Sequence, residues 1–280
     1  MTAAEILGAV VMTIGALFST TAALGVALFP TSLSRMHAAT KSAALGLALI
    51  SIGVGVAVEG WALFGIGALV SGFLFMTAPI SGHMLGRAAY AAGQAPGLVH
   101  DDLAGVEAEP LGQVERTRAG FSFGWWFAML AIWTLLWREV SPAVLAGGAV
   151  VAAVVEAMRS TSPGFVGFRP VGFSIFFVRY VGMVVTSSLK VAWEVVTPGT
   201  TIREAIVAIP LTTDSIPVAL LLSNAITYTP GTLTVELTEE PRVVYVHVLQ
   251  FTTVEAIRAE VAELERLISA ALPAGPRTRG

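Results

Sequence analysis

The sequence contains no cysteine, which excludes disulfides, thiol catalysis and cysteine-ligated zinc. Charge is almost as scarce. Only 12% of its 280 residues are Asp, Glu, Lys or Arg, about half of the ~25% usual in a soluble domain. The four histidines, His37, His83, His100 and His247, are scattered, so no histidine-cluster metal site and no cofactor are expected. A net charge of −3 offers no basic surface for nucleic acid. No catalytic constellation is legible, and the chain reads as a non-enzyme. What it has in excess is apolar surface: 55% of residues are hydrophobic and the mean hydropathy is +0.78, more than a water-soluble globule carries throughout.

That surface is laid out in runs. Residues 6–29 are uninterrupted and apolar, about 36 Å of helix, enough to cross a bilayer. With Glu5 as its only early charge and no basic flank, this run is expected to be a retained spanning helix rather than a signal peptide. Residues 43–58 form a second run, followed by a turn at Glu59-Gly60 and an interfacial anchor at Trp61. The third run, 62–84, contains Pro79, which lacks an N–H and is expected to kink its helix. His83 and Arg87 are expected to form an interfacial i,i+4 pair at its end. Glycines such as Gly8, Gly15, Gly46 and Gly53 favour close backbone approach between membrane helices. Three such slender helices enclose no transport path alone and are expected to pack on larger neighbours.

Between the first two runs lies R-M-H-A-A-T-K at 35–41. Cations flanking membrane segments mark the cytoplasmic side, so Arg35, His37 and Lys41 are expected to anchor a loop on lipid phosphates. The competing reading is a contact with a carboxylate on a neighbour, or the mouth of a proton path, since His37 and Lys41 stand one helical turn apart.

Residues 94–120 turn acidic, with Pro96 and Pro110, and read as a solvent-exposed linker. Two shorter apolar runs, 121–137 and 143–155, suit a membrane hairpin, closed by a pairing of Glu156 with Arg159. Run 171–196 carries Arg179, Thr186, Lys190 and Glu194 on one stripe, as suits a helix at the membrane surface or on a protein partner. Counting from a cytoplasmic 35–41 segment gives five spans plus this interfacial helix, with Arg159 and Arg169 inside.

From about Thr201 the periodicity changes. A strand at 205–209 precedes a helix at 218–226 opened by Asp214 or Ser215. Strands at 232–237 and 244–248 alternate with period two around a turn at Glu239-Glu240-Pro241. Thr252 and Glu255 make a capping box for a helix with a core face of Val254, Ile257, Val261, Leu264 and Ile268. In Thr229-Pro230-Gly231-Thr232 the proline and glycine fit a type II turn, expected to shape the helix-to-strand connection, with a docking surface as the alternative. A lone histidine in a strand, His247, reads as structural. The expected architecture is a membrane protein of all-α transmembrane helices, comprising a three-helix module (1–93), the linker (94–120) and a hairpin with an interfacial helix (121–199). A cytoplasmic α+β domain of order βαββα (200–272) and a flexible tail (273–280) complete it.

Two parts of the chain resemble two different components of Mrp-type sodium/proton antiporters. L-F-P at 28–30, R-M-H-A-A-T-K-S-A-A-L-G at 35–46 and T-A-P-I-S-G-H-M-L-G-R-A-A-Y at 77–90 resemble the G component. V-A-I-P-L at 207–211, L-L-L-S-N-A-I-T-Y-T-P-G-T-L-T-V-E-L at 220–237 and Y-V-H-V-L at 245–249 resemble the E component. The resemblance implies a natural G–E fusion serving as an accessory subunit in a bacterial inner membrane. Its partners would be A-, B-, C-, D- and F-like subunits and the lipid bilayer, and the complex would exchange cytoplasmic Na⁺ for external H⁺. It implies a role in assembly, the main proton path lying in larger subunits. The residues alone leave two alternatives, a self-sufficient homo-oligomeric transporter or channel and a membrane scaffold whose C-terminal domain binds a cytoplasmic partner.

Overall fold

The computed structural model describes residues 1–106, 117–118, 123–158, 160–161, 169–197, 202–239 and 241–272. The acidic segment 107–116, Arg159 as a partner for Glu156, the tail 273–280 and the Trp61 side chain lie outside the described residues.

Helix α1 (Ala3–Leu28) opens on a capping box between Thr2 and Glu5 and stops at Phe29, whose backbone is extended, the conformation a following proline imposes. Thr31 then caps α2 (Ser32–His37), exchanging hydrogen bonds with Ser34. This cap starts the helix before the basic residues. Helix α2 runs through a π-helical turn, Ala38–Ser42, into α3 (Ala43–Ala57), so Ser32–Ala57 is one apolar helix of 26 residues. The segment 35–41 is therefore helical, and the loop expected there shrinks to Phe29, Pro30 and Thr31. Glu59, with φ +51, and Gly60 turn the chain into α4 (Trp61–Ala91), which continues through a buried Pro79.

Glycines bring α1 and α3 into backbone contact: a Cβ on Gly15 would sit 2.6 Å from the Gly46 carbonyl, and one on Gly53 2.7 Å from Met12 Cγ. In membranes this close approach replaces hydrophobic exclusion as the packing force. After the two-residue strands β1 (His100–Asp101) and β2 (Thr117–Arg118), α5 (Phe123–Trp137) and α6 (Pro142–Met158) pair as a hairpin. There Trp126 Nε1 donates to the Ala149 carbonyl at 3.2 Å and Gly148 meets Trp133. Strand β3 (Ser160–Thr161) pairs with β2. Helix α7 (Pro170–Val196) follows. Four described helices are long and apolar enough to cross a membrane, α1, Ser32–Ala57, α4 and α7; α5 and α6 are shorter.

The rest of the chain supplies β4 (Ala205–Pro210), α8 (Ile216–Tyr228), β5 (Thr232–Glu239), β6 (Arg242–Val248) and α9 (Val254–Ala271). The sheet order is β1-β4-β6-β5, with β1 parallel to β4 and the other pairs antiparallel. Helix α9 is capped by Thr253, one residue later than the sequence pattern indicated. Ser215 precedes α8 without a side-chain cap.

Both faces of this sheet are covered. On one, Val207, Val244 and Val246 pack with Leu222 of α8, Ile257 and Val261 of α9 and Phe176 of α7. On the other, Ile206, Leu233, Val235 and Tyr245 pack with Leu33 and Met36 of α2 and with Leu103. The segment read as an exposed linker thus contributes an edge strand and a buried leucine. The second face is where the N-terminal helices meet the sheet.

Candidate functional site

At that meeting line the basic residues of the first helices face polar groups of the sheet. His37 and Lys41 are both 0% exposed, which overturns the expectation that they anchor on lipid headgroups. The Lys41 ammonium donates to the Thr229 carbonyl at 2.7 Å and the Thr232 carbonyl at 2.8 Å. Those carbonyls belong to the T-P-G-T turn. Gly231 there has φ +74 and Thr232 N donates to Thr229 O at 3.4 Å, the arrangement of a type II turn. The turn does shape the α8–β5 connection, and it also presents the carbonyls that Lys41 reads. Thr229 and Thr232 hydroxyls contact each other and both donate to the Ile226 carbonyl. Ser187 of α7 donates to Thr229 O, and Ser188 to the Lys41 carbonyl at 3.3 Å. A buried cation held by carbonyl dipoles keeps its hydrogen bonds at a large desolvation cost, so these partners are essential to it.

Beside Lys41, His37 Nε2 lies 2.9 Å from Nδ1 of His247 on β6. His247 Nε2 faces the Glu204 carboxylate at 3.6 Å, beyond hydrogen-bond length. The Thr31 hydroxyl donates to both Glu204 oxygens, at 2.8 and 2.9 Å. Burial alone would push the Glu204 carboxyl up; His247, Thr31 and Ser34 outweigh it and hold the carboxyl below its usual range. Arg35 does not enter the seam: its side chain is exposed and Nε donates to the Phe29 carbonyl at 2.8 Å.

The α4 residues singled out by sequence also line the seam. The expected His83–Arg87 pair is replaced by contacts across it. Arg87 Nε reaches Glu236 Oε2 of β5 at 2.8 Å, and His83 hydrogen-bonds the Thr234 backbone. Burial raises the Glu236 carboxyl, and the Arg87 charge acts against that rise. Pro79 carries no polar contact of its own; one turn on, a Cβ at Gly82 would lie 2.9 Å from Thr40 Cγ2. His37, Lys41, His83, Arg87, Thr229, Pro230, Gly231 and Thr232 thus fall along one seam.

Sequence reasoning missed Glu204, Glu236 and His247 as members. Each is a polar residue in or beside an apolar strand, and contacts with the N-terminal helices, at Thr31, Arg87 and His37 respectively, give them meaning. The α7 stripe lies alongside: Arg179 and Lys190 line a cavity of about 510 Å³ against α9, and Lys190 and Glu194 a smaller one of about 220 Å³ at the T-P-G-T turn. Among the described residues no group of three His, Asp or Glu is arranged to hold a metal ion.

Comparison with known proteins follows the same division. The family model MNHE, described as Na⁺/H⁺ ion antiporter subunit, matches residues 126–271. The model PhaG_MnhG_YufB, described as Na⁺/H⁺ antiporter subunit, matches residues 11–90. The G component of the Na⁺/H⁺ antiporter of Alkalihalophilus pseudofirmus is 40% identical over 97 residues, 33% of this chain and 80% of that protein. The UPF0091 protein PH0944 of Pyrococcus horikoshii is 36% identical over 74 residues, 26% of this chain and 72% of that protein. Among solved structures, a chain of the Mrp complex from Dietzia sp. DQ12-45-1b is 27% identical, covering 35% of this chain and 93% of that one with a TM-score of 0.28.

Proposed function

The chain belongs to the Na⁺/H⁺ antiporter subunit family, and we propose that it is the accessory G–E fusion component of a Mrp-type antiporter that exchanges cytoplasmic Na⁺ for external H⁺. Its work is assembly. The observation that carries this reading is the seam, where the motif residues of the G-like part are spent on the E-like part: Lys41 on the T-P-G-T carbonyls and His37 on His247. A substrate-binding role would leave such groups facing a path. Among the described residues, the buried carboxylate and ammonium groups on apolar helices are Lys41 and Glu156, too few to relay protons across a bilayer.

The outer faces support the same reading. Leu17, Phe73, Met76 and Trp137 are exposed on the apolar helices, where lipid and the A-, B-, C-, D- and F-like subunits would cover them. On α7, Phe176, Val184 and Val191 are buried while Val171, Val178, Leu189 and Trp193 are exposed. Its buried side meets the sheet core at Phe176 and Phe29 at Val195. Arg179, Thr186 and Lys190 are exposed beside this apolar side, and a helix with such a polar stripe next to its apolar face suits a position flat in the membrane interface. The sheet unit then lies on the cytoplasmic side with Arg35 in a bacterial inner membrane. The limits 1–93, 94–120, 121–199 and 200–272 remain the working division, with residues 98–106 docked on the sheet.

The test is purification through a tag after Gly280, from cells that also make the neighbouring subunits, followed by reconstitution in vesicles. Large multi-span subunits should co-purify, and the assembly alone should exchange Na⁺ for H⁺. A homogeneous oligomer of this chain that performs the exchange unaided would refute the reading. Because the chain has no cysteine, a single Glu263→Cys label reports sidedness: protection from an impermeant maleimide in intact cells is expected, and labelling from outside would overturn the cytoplasmic placement.

A further inference from the structure

Helix α7 presents three sides. Phe176, Val184 and Val191 turn toward the sheet unit and are buried, while Val178, Val185 and Leu189 are exposed on the opposite side. Arg179, Thr186 and Lys190 are exposed between them, within about 40° of one another at the helical repeat. Arg179 and Lys190 line the cavity of about 510 Å³ whose other wall is α9, where Glu260 and Glu263 line it too. Met183 and Leu267 make its apolar flank. Among the described residues no hydrogen bond or ion pair joins the two cations to the two carboxylates. Glu263 holds Arg266 through Oε2 alone, so Oε1 is left for a ligand. The cavity thus has cations on the wall that borders the apolar side of α7 and carboxylates on the wall behind it.

Balanced charge on opposite walls disfavours a purely anionic or purely cationic occupant and suits one that carries both charges. The site runs from apolar surface to cations to carboxylates, which is the order of acyl chain, phosphate and amine in a phospholipid. A quaternary amine has no N–H and is recognised by aromatic faces, and among the described residues no aromatic side chain lines this cavity. A primary ammonium instead carries three donors that carboxylates accept. The volume lies within the roughly 300–1,000 Å³ usual for small-ligand sites, room for a headgroup with the acyl chains left outside. We propose that the α7–α9 cavity binds the phosphoethanolamine headgroup of a membrane lipid, whose acyl chains lie along the exposed apolar side of α7. Arg179 and Lys190 donate to the phosphate, Arg179 with its two-pronged guanidinium. The ammonium donates to Glu260 and Glu263. Thr229 and Pro230 line the same cavity, so the bound headgroup lies against the turn whose Thr229 carbonyl Lys41 holds. The lipid leaflet is thereby tied to the contact between the G-like and E-like parts.

This inference rests on α7 lying in the membrane interface, and its test separates the two. The intact complex is placed in phosphatidylcholine nanodiscs with a trace of phosphatidylethanolamine carrying a diazirine at the head of one acyl chain. After illumination, label is mapped on the peptides around Met183 and Leu267. Unlabelled phosphatidylethanolamine added to the host lipid should suppress that label about tenfold, and the same share of phosphatidylglycerol should leave it within about twofold. Arg179→Gln with Lys190→Gln should lower the label about tenfold, the loss of two ion pairs. Glu260→Gln with Glu263→Gln should leave two unopposed cations, so phosphatidylglycerol should now suppress the label at least as well as phosphatidylethanolamine. That gain of anionic-lipid binding cannot come from misfolding. Equal suppression by the two lipids in the wild type would overturn the proposal, as would label indifferent to Arg179→Gln with Lys190→Gln. The position of α7 is read independently on the full chain, which has no cysteine, from quenching of a bimane on Leu189→Cys by spin-labelled lipid. Quenching without lipid preference overturns the headgroup site alone; absence of quenching overturns the interfacial position of α7 together with it.

Discussion

Replacing Lys41 by methionine keeps the length of the side chain and deletes its charge and both hydrogen bonds. Charge-assisted bonds contribute roughly 1.5–3 kcal/mol each, so about 3–6 kcal/mol of favourable interaction is lost. Against this, the desolvation cost of a buried ammonium, several kcal/mol, also disappears. The carbonyls differ in what remains to them: Thr229 O still accepts from Ser187 and Thr232, whereas Thr232 O loses its Lys41 donor. One orphaned carbonyl costs about 1–3 kcal/mol. The balance is a seam weakened by about 2 kcal/mol, which is roughly 30-fold in its opening equilibrium. Lys41→Ala adds a cavity and should cost about 2 kcal/mol more. Amide hydrogen exchange of the chain in nanodiscs reads this directly, in peptides covering 32–42 and 229–237. Exchange there should rise in the order wild type, Lys41→Met, Lys41→Ala, while α9 stays unchanged. Exchange in Lys41→Met within about twofold of wild type would show that the ammonium does not hold the seam, and the energetic reasoning would fall.

Neutralising Lys41 should also lower Na⁺/H⁺ exchange more than membrane abundance, measured in vesicles and by immunoblot; equal losses would show that the contact serves only the stability of the chain. Arg87→Gln should cost about 1–3 kcal/mol by leaving the Glu236 carboxylate without its cation, and Glu236→Gln in the same chain should restore part of it in a double-mutant cycle of thermal unfolding. Gly15→Val, which drives a side chain into the Gly46 carbonyl, should separate α1 from α3 and reduce recovery of the folded chain in detergent. The Glu204 carboxyl is held below its usual range, so its contribution is present at neutral pH and is lost as pH falls through the folded value, below the range in which a free glutamate takes up its proton. Thermal unfolding at pH 7 and at acid pH should show this loss in the wild type and a smaller one in Glu204→Gln.

The elements themselves were legible where local chemistry decides them. Run length marked α1, the second helix and α4, and period-two alternation marked β5 and β6. Proline and glycine at 230 and 231 marked their turn. The seam was not legible, because its signal is a partnership between distant residues. A lysine at the end of an apolar run looks the same whether it meets a lipid phosphate or the Thr229 carbonyl. The capping exchange of Thr31 with Ser34 was readable in principle and would have made 35–41 helical instead of a loop. Leu103 explains the misread linker: one buried leucine and a two-residue strand are too little pattern to stand out from an acidic, proline-containing stretch.

The central claim is that the G-like and E-like parts act as one body through the seam. Its most direct measurement divides the chain between residues 107 and 116, co-expresses the halves with the other subunits, and purifies through the tag after Gly280. The account predicts equimolar recovery of both halves and retained Na⁺/H⁺ exchange, with recovery of the N-terminal half reduced by Lys41→Met. Loss of the N-terminal half from an otherwise complete, active assembly would contradict it.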